Sequence, residues 1–248
     1  GRGFREAENA ANKLKTKPLV ISAGLGLLSS DCEIPAYDLT LSPDSLDCVF
    51  KRIAEKITPS EWWEAITLAQ KKKHPISSLV ATKPKSLVLI ACSGNYTNLI
   101  SNDLMNLKQT DLSRVRLFGP RKLKGIPEAI QPLIMPYDQR FDGPSSPLPG
   151  TRGDFAQRVM CHFAEHIVRP PKDLHKPERH AKLIEETLNG WKCPRQVTRI
   201  KKTDDEIIDL VVNLWTRAQG SSARMLRVLR DQEMIACEQG RFASLFKI

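Results

Sequence analysis

Several short apolar runs in this chain end in residues able to do chemistry. Leu19, Val20 and Ile21 run into Ser22 and Gly24, and a loop carrying Pro35, Tyr37 and Asp38 follows. The run at 86–91 ends in Cys92, Ser93, Gly94, Asn95 and Tyr96, and the run at 133–135 leads to Asp138 and Arg140. A cysteine facing a helix N-terminus is favoured as thiolate, which makes Cys92 the candidate nucleophile. Asp138 or Asp38 can serve as general base. Ser22, Gly24, Ser93, Asn95 and Tyr96 are candidate substrate contacts, while Arg140 and Arg152 can grip a phosphate or the face of a guanine. Two blander readings stand beside these. Cys92 is also simply a small residue that fits an Ala-Cys-Ser turn, and Arg152 is also a surface arginine beside Asp154. No Ser-His-Asp order, Walker loop or complete dinucleotide fingerprint is present, which argues against ATPases and dehydrogenases.

Positioning these groups requires strands. Each β-branched or leucine-rich run reads as a buried strand, and those at 19–21, 86–91, 115–118 and 133–135 each exit into a loop bearing polar residues. Helices are expected at 4–15, at 45–56, after Thr58 and at 155–168, with 142–153 as a surface excursion or lid. Strand, small-residue turn and helix in repetition define an α/β fold, a mostly parallel sheet flanked by helices, with a small C-terminal helical module. Parallel strands carry their carboxyl ends to one edge, so Ser22, Asp38, Cys92, Ser93, Asp138 and Arg140 are expected within reach of one ligand. Trp62 and Trp63 fall at helical spacing and belong in the core. Lys71, Lys72, Lys73 and His74 complement the negative end of the preceding helix.

The expected organisation is an α/β domain over 1–170, a basic linker over 171–202 with a short helix at 178–188, and a helix-turn-helix-like module over 203–248. In that module Thr203, Asp204, Asp205 and Glu206 open an amphipathic helix, Gly220 breaks it, and Ser221 caps a second. Arg224, Arg227 and Arg230 form a row on the second helix, the outline of a DNA-reading element, and 234–246 is expected as a wing. A helical hairpin with solvated arginines is the competing account.

Composition agrees with a soluble globular chain: 248 residues, 41% hydrophobic and 27% charged. The net charge of +10 favours a polyanionic partner, DNA in the first instance. No apolar run is long enough to cross a bilayer, so no membrane role is expected. The six cysteines are scattered without a C-x-x-C pair, which fits a reduced cytoplasmic setting. His162 and His166 lie at i, i+4, but no Glu follows His162 in the zincin pattern, so neither metal nor other cofactor is expected.

The stretch LVISAGLGLLSSDCEIPAYDLTL at 19–41 resembles the signature of the YaaA-like proteins, DNA-associated stress proteins and their relatives. There a strand ends in a Ser-Ala-x-x-Gly-Leu turn and a Pro-x-Tyr-Asp-Leu-Thr loop follows. The resemblance spans about two-thirds of the chain and implies that a first strand lies upstream of Gly1. It also implies a nucleic-acid connection. Some such relatives belong to bacterial systems that insert 7-deazaguanine bases into DNA, where the implied reaction hydrates the nitrile of 7-cyano-7-deazaguanine to the amide. Other proteins of that system would then be partners. The alternatives are a non-catalytic DNA-binding stress or defence protein, and an N-glycosidase or nuclease acting on DNA.

Overall fold

The computed structural model describes residues 1–121, 125–168, 174–195 and 197–246. It separates into two compact units, Gly1–Pro194 and Arg195–Ile248. The expected boundary at 170–171 lies outside the described residues.

The first unit opens with α1 (Arg2–Lys13), followed by β1 (Leu19–Ser22) and β2 (Gly26–Ser29). Here the expectation of a parallel β1 is corrected. β1 and β2 form an antiparallel hairpin, with Ser22 opposite Gly26. Gly26 takes φ +64, a left-handed conformation that glycine adopts without cost, so the chain turns back as a strand and does not enter a helix. The helix expected at 45–56 shrinks to α2 (Val49–Arg52). Next, α3 (Pro59–Ala69) has the reciprocal Thr58–Glu61 capping box and Pro at its start. Trp63 is buried and Trp62 half-buried, as their spacing predicts.

A helix not foreseen, α4 (Pro75–Thr82), follows. Its N-cap, His74, supplies no side-chain bond; the cap comes from Asp103, distant in sequence, whose oxygens accept from the amides of Ile76 and Ser77 at 3.0 and 2.9 Å. Then β3 (Val88–Ala91), α5 (Gly94–Met105), α6 (Gln109–Leu112) and β4 (Val115–Phe118) make a βαβ unit whose strands are parallel, Val88 opposite Val115. The strand expected at 133–135 contributes a single parallel bridge, Leu117 to Ile134, after a 3-10 turn spanning Glu128–Leu133.

Side chains alternate across this small sheet with period two. Ile90, Val115 and Leu117 face a core built with α3, α4 and α5. Leu89, Ala91 and Phe118 face a second core with Tyr137, Phe163, Ile184 and Leu188. Helices therefore cover both faces of a parallel sheet, an α/β arrangement. The second cover comes from α7 (Phe155–His162), continued by a π-helical turn Phe163–Ile167, and from α8 (Pro177–Leu188).

The α8 segment, expected as linker, is part of the first unit. Arg116 of β4 is fully buried; it donates from Nε to His180 Nδ1 at 2.9 Å and from its Nη2 to the Leu174 carbonyl at 3.1 Å. A buried guanidinium must find acceptors, and these fasten α8 onto the sheet. The excursion at 142–153 is likewise an anchored loop and not a lid. The fully buried Arg158 donates to Asp142 at 2.6 Å, Asp154 at 2.7 Å, and the carbonyls of Leu148 and Thr151 at 2.8 and 2.9 Å.

The second unit contains β5 (Ile200–Lys201), α9 (Asp204–Asn213), α10 (Ser222–Arg227) with a π-helical continuation Val228–Gln232, β6 (Ile235–Ala236) and α11 (Gln239–Leu245). Thr203 and Glu206 form the capping box of α9, and Ser221 caps α10, as expected. The tail is not a wing: β6 pairs in parallel with β5, and a helix follows. Ile207, Ala218, Met225, Leu229, Ile235 and Phe242 form this unit's own core.

Candidate functional site

The carboxyl ends of β3 and β4 lie side by side. The Cys92 amide donates to the Phe118 carbonyl at 3.0 Å, and a Cβ added at Gly119 would stand 2.4 Å from the Cys92 carbonyl oxygen. Glycine is what lets these two exits touch. The third parallel segment adds its exit next door, since the Met135 amide donates to the Leu117 carbonyl at 2.9 Å.

Two clusters stand at this edge. In the first, Ser22 Oγ accepts from the amides of Gly24 and Leu25 at 3.2 and 2.9 Å and meets Tyr37 Oη at 2.5 Å. A hydroxyl has two acceptor positions and one hydrogen. With both positions filled, Ser22 donates to Tyr37, which leaves the Tyr37 hydrogen available to a ligand. Tyr37 is partly exposed, and an added Cβ at Gly24 would lie 3.4 Å from its ring. Tyr96 stands close enough to Tyr37 and Cys92 that, after burial, their negative forms raise its hydroxyl above the ordinary value. Asn95 bonds the Leu41 carbonyl at 3.2 Å, tying the loop to the start of α5. Ser93 is exposed at the N-cap of α5 and makes no side-chain cap bond.

Cys92 does not fit the role expected of it. The thiol is buried, with Sγ 3.2 Å from Thr97 Oγ1, and burial pushes it up to about 11. Desolvation outweighs any help from the helix terminus, so the thiol stays protonated at neutral pH. Here the small-residue reading prevails.

In the second cluster Asp138 caps a 3-10 turn (Gln139–Asp142), and both of its oxygens are taken by Arg140, at 2.9 Å and 2.8 Å. Burial alone would raise this carboxyl, but the Arg140 bonds and the nearby Arg121 charge hold it below the ordinary range. Arg140 also bonds Glu185 at 2.7 Å, and Arg121 reaches the same Glu185 at 2.8 Å. A carboxylate held this way is a poor proton acceptor, so the expectation of Asp138 as general base is corrected. Arg140 is spent on carboxylates, whereas Arg121 is half-exposed at the rim.

Ser22, Gly24, Asn95, Tyr96 and Cys92 thus gather around one end of the sheet, Asp138 and Arg140 around its third exit, with Cys92–Gly119 and Arg121–Asp138 linking them. Asp38 is exposed beside Tyr37. Arg152 is exposed on the turn before α7, and Asp154 does not pair with it: Asp154 holds Arg158, Arg2 and the Thr151 amide. Glu185 carried no signal in the sequence, because an exposed acid on an amphipathic helix looks like any other. In the second unit Arg224 and Arg227 are exposed, with Arg224 bonded to Gln219. Arg230 departs from the expected row: its Nε donates to the Cys237 carbonyl at 2.8 Å and holds the chain after β6.

No protein-family model, no curated protein and no solved structure matches this chain. Among the described residues no cluster of three or more His, Cys, Asp or Glu side chains could hold a metal, and no helix is long and apolar enough to cross a membrane.

Proposed function

We propose that this chain is a DNA-binding protein that engages duplex DNA through its second unit, in the manner of a helix-turn-helix. One observation carries the reading: α10 buries Met225 while turning Arg224 and Arg227 to solvent, directly after a capped helix and a Gly220 turn with φ +64. The net charge of +10 supports the same partner. The test is fluorescence anisotropy of a labelled duplex with the full chain across a salt series. R224Q/R227Q should weaken binding at least tenfold and flatten the salt dependence by about 2 in slope. Unchanged affinity and slope in that variant would sink the reading.

A narrower reading has one supporting observation, the placing of Ser22 and Tyr37, with Tyr96 and Cys92 near them, at the same sheet edge as the exits at Gly119 and Asp138. It makes the first unit an enzyme that hydrates the nitrile of a 7-cyano-7-deazaguanine base in DNA, the reaction the YaaA-like resemblance implies. The water oxygen bonds to the nitrile carbon as one carbon–nitrogen π bond opens to give an imidic acid. Its oxygen then loses its proton as the remaining C=N π bond gives way to C=O and the nitrogen gains its second proton. In this reading Tyr37 donates the first proton to the nitrogen, while Asp38 takes one water proton and passes it to the nitrogen in the second stage. The proton left on the imidic-acid oxygen restores Tyr37, and Cys92 is a bystander. Mass spectrometry of nucleosides from such DNA, incubated with the chain, would register the gain of one water. Tyr37→Phe and Asp38→Asn should abolish conversion, and Cys92→Ala should keep it; conversion surviving in both of the first two removes this mechanism.

A further inference from the structure

Residues 65–102 contain five lysines and no acidic residue, and all five lysines, Lys71, Lys72, Lys73, Lys83 and Lys85, are exposed. The next acid along the chain, Asp103, is buried and so offers them no surface counter-charge. Among the described residues none of the five lysines forms an ion pair.

The fold brings them to one end of the first unit. Lys83 and Lys85 lie shortly before β3, at the amino edge of the parallel sheet, where Arg114, the residue before β4, donates to the Lys83 carbonyl at 2.9 Å. Lys71, Lys72 and Lys73 follow α3, and His74 beside them meets Asn106, just past the end of α5, at 3.2 Å. Since α5 begins where β3 exits, its far end returns to the amino edge. The two lysine groups are joined by α4, whose 8 residues span roughly 12 Å. Duplex DNA carries about one charge per 1.7 Å of axis, so several phosphates fall within that span.

A solvated helix end does not account for this face. The helix dipole acts only over the last turn, which leaves Lys83 and Lys85 unexplained. Lys71 also occupies a position where glycine is the preferred residue. With φ 59 it closes a Schellman motif, its amide donating to the Leu68 carbonyl at 2.8 Å and that of Lys72 to Thr67 at 2.9 Å. A lysine there costs about 1 kcal/mol in conformation. His74 is left-handed too, with φ 48. Side chains bearing charge or able to bear it are held where conformation favours glycine.

We propose that this lysine face at the amino edge of the sheet is a second DNA-docking surface, one that grips phosphates without reading sequence. It rests on the reading that the chain binds duplex DNA, and it is independent of α10.

The experiment uses the full chain and a random-sequence duplex, with Kd measured between about 50 and 200 mM salt. K71Q/K72Q/K73Q/K83Q/K85Q should lower the slope of log K against log salt by about 2 to 4 and weaken binding 10- to 100-fold at the low-salt end. The five-lysine-to-arginine variant should keep the wild-type slope. The two halves, K71Q/K72Q/K73Q and K83Q/K85Q, are measured separately, so a misfolded combination does not hide the effect. Unchanged slope in both folded halves overturns the docking surface. So does loss of binding confined to single-stranded RNA or to acidic phospholipid vesicles. If the wild-type chain does not bind duplex at all, the second-unit reading falls with it; if R224Q/R227Q alone abolishes binding while the lysine variants bind normally, only this inference falls.

Discussion

Asp103 accepts the indole N–H of Trp63 at 3.0 Å inside the core, and the same carboxylate caps α4 through the amides of Ile76 and Ser77. One side chain on α5 thus fixes the register of α3 and creates the start of α4. Replacing it with Leu would strand three buried donors at once. We expect Asp103→Leu to destabilise the first unit by about 3 to 5 kcal/mol, and Asp103→Asn by less, since an amide oxygen can still accept. Chemical denaturation followed by tryptophan fluorescence reads this directly, and a change below 1 kcal/mol for Leu would show that the bonds are expendable.

Gly143 follows the turn capped by Asp138, and a Cβ added there would lie 1.8 Å from the Lys192 carbonyl oxygen. Its φ of −82 is open to any residue, so the demand is for space alone. Gly143→Ala must push the 191–194 segment away, and with it the contact of Arg140 with the Leu188 carbonyl. The expected cost is about 2 to 4 kcal/mol. A melting temperature equal to that of the wild type would contradict the close approach.

His162 sits beneath Phe141 and Trp191, with Nδ1 2.8 Å from Tyr137 Oη, and burial followed by the nearby His166 pushes it down to about 4. Its unfolded value is near 6.5, so the unfolded chain takes up a proton that the folded chain refuses. The sign follows: stability is complete above about 6.5 and is lost as pH falls toward 4. The loss attributable to this ring is on the order of 1 to 2 kcal/mol, discounted for solvent access. His162→Gln should flatten the stability profile between pH 6.5 and 4. A profile of unchanged slope there would assign the acid sensitivity to other groups.

Native cysteine labelling separates the thiols by burial. Cys32 and Cys193 are exposed, whereas Cys48, Cys92, Cys161 and Cys237 are buried. Iodoacetamide at pH 8 should alkylate the first two within minutes and leave Cys92 untouched until the chain unfolds. Rapid labelling of Cys92 in the folded protein would restore it as a reactive thiol.

The residues alone determined a good deal. Capping patterns at Thr58, Thr203 and Ser221 marked three helix starts, because a cap and the helix it starts are neighbours in the chain. The apolar runs at 86–91 and 115–118 marked buried parallel strands, and the row at Trp62 and Trp63 marked a core face. Three things were decided only by tertiary structure, and each depends on partners far apart in sequence. The hairpin at Gly26 took β1 out of the parallel sheet, since a left-handed glycine serves a turn as well as a ligand loop. The raised Cys92 thiol followed from desolvation and the lowered Asp138 carboxyl from Arg140 and Arg121, quantities absent from spacing. Finally, α4 and α8 owe their places to the buried Asp103 and Arg116, whose charged side chains in the chain itself look like any surface residue.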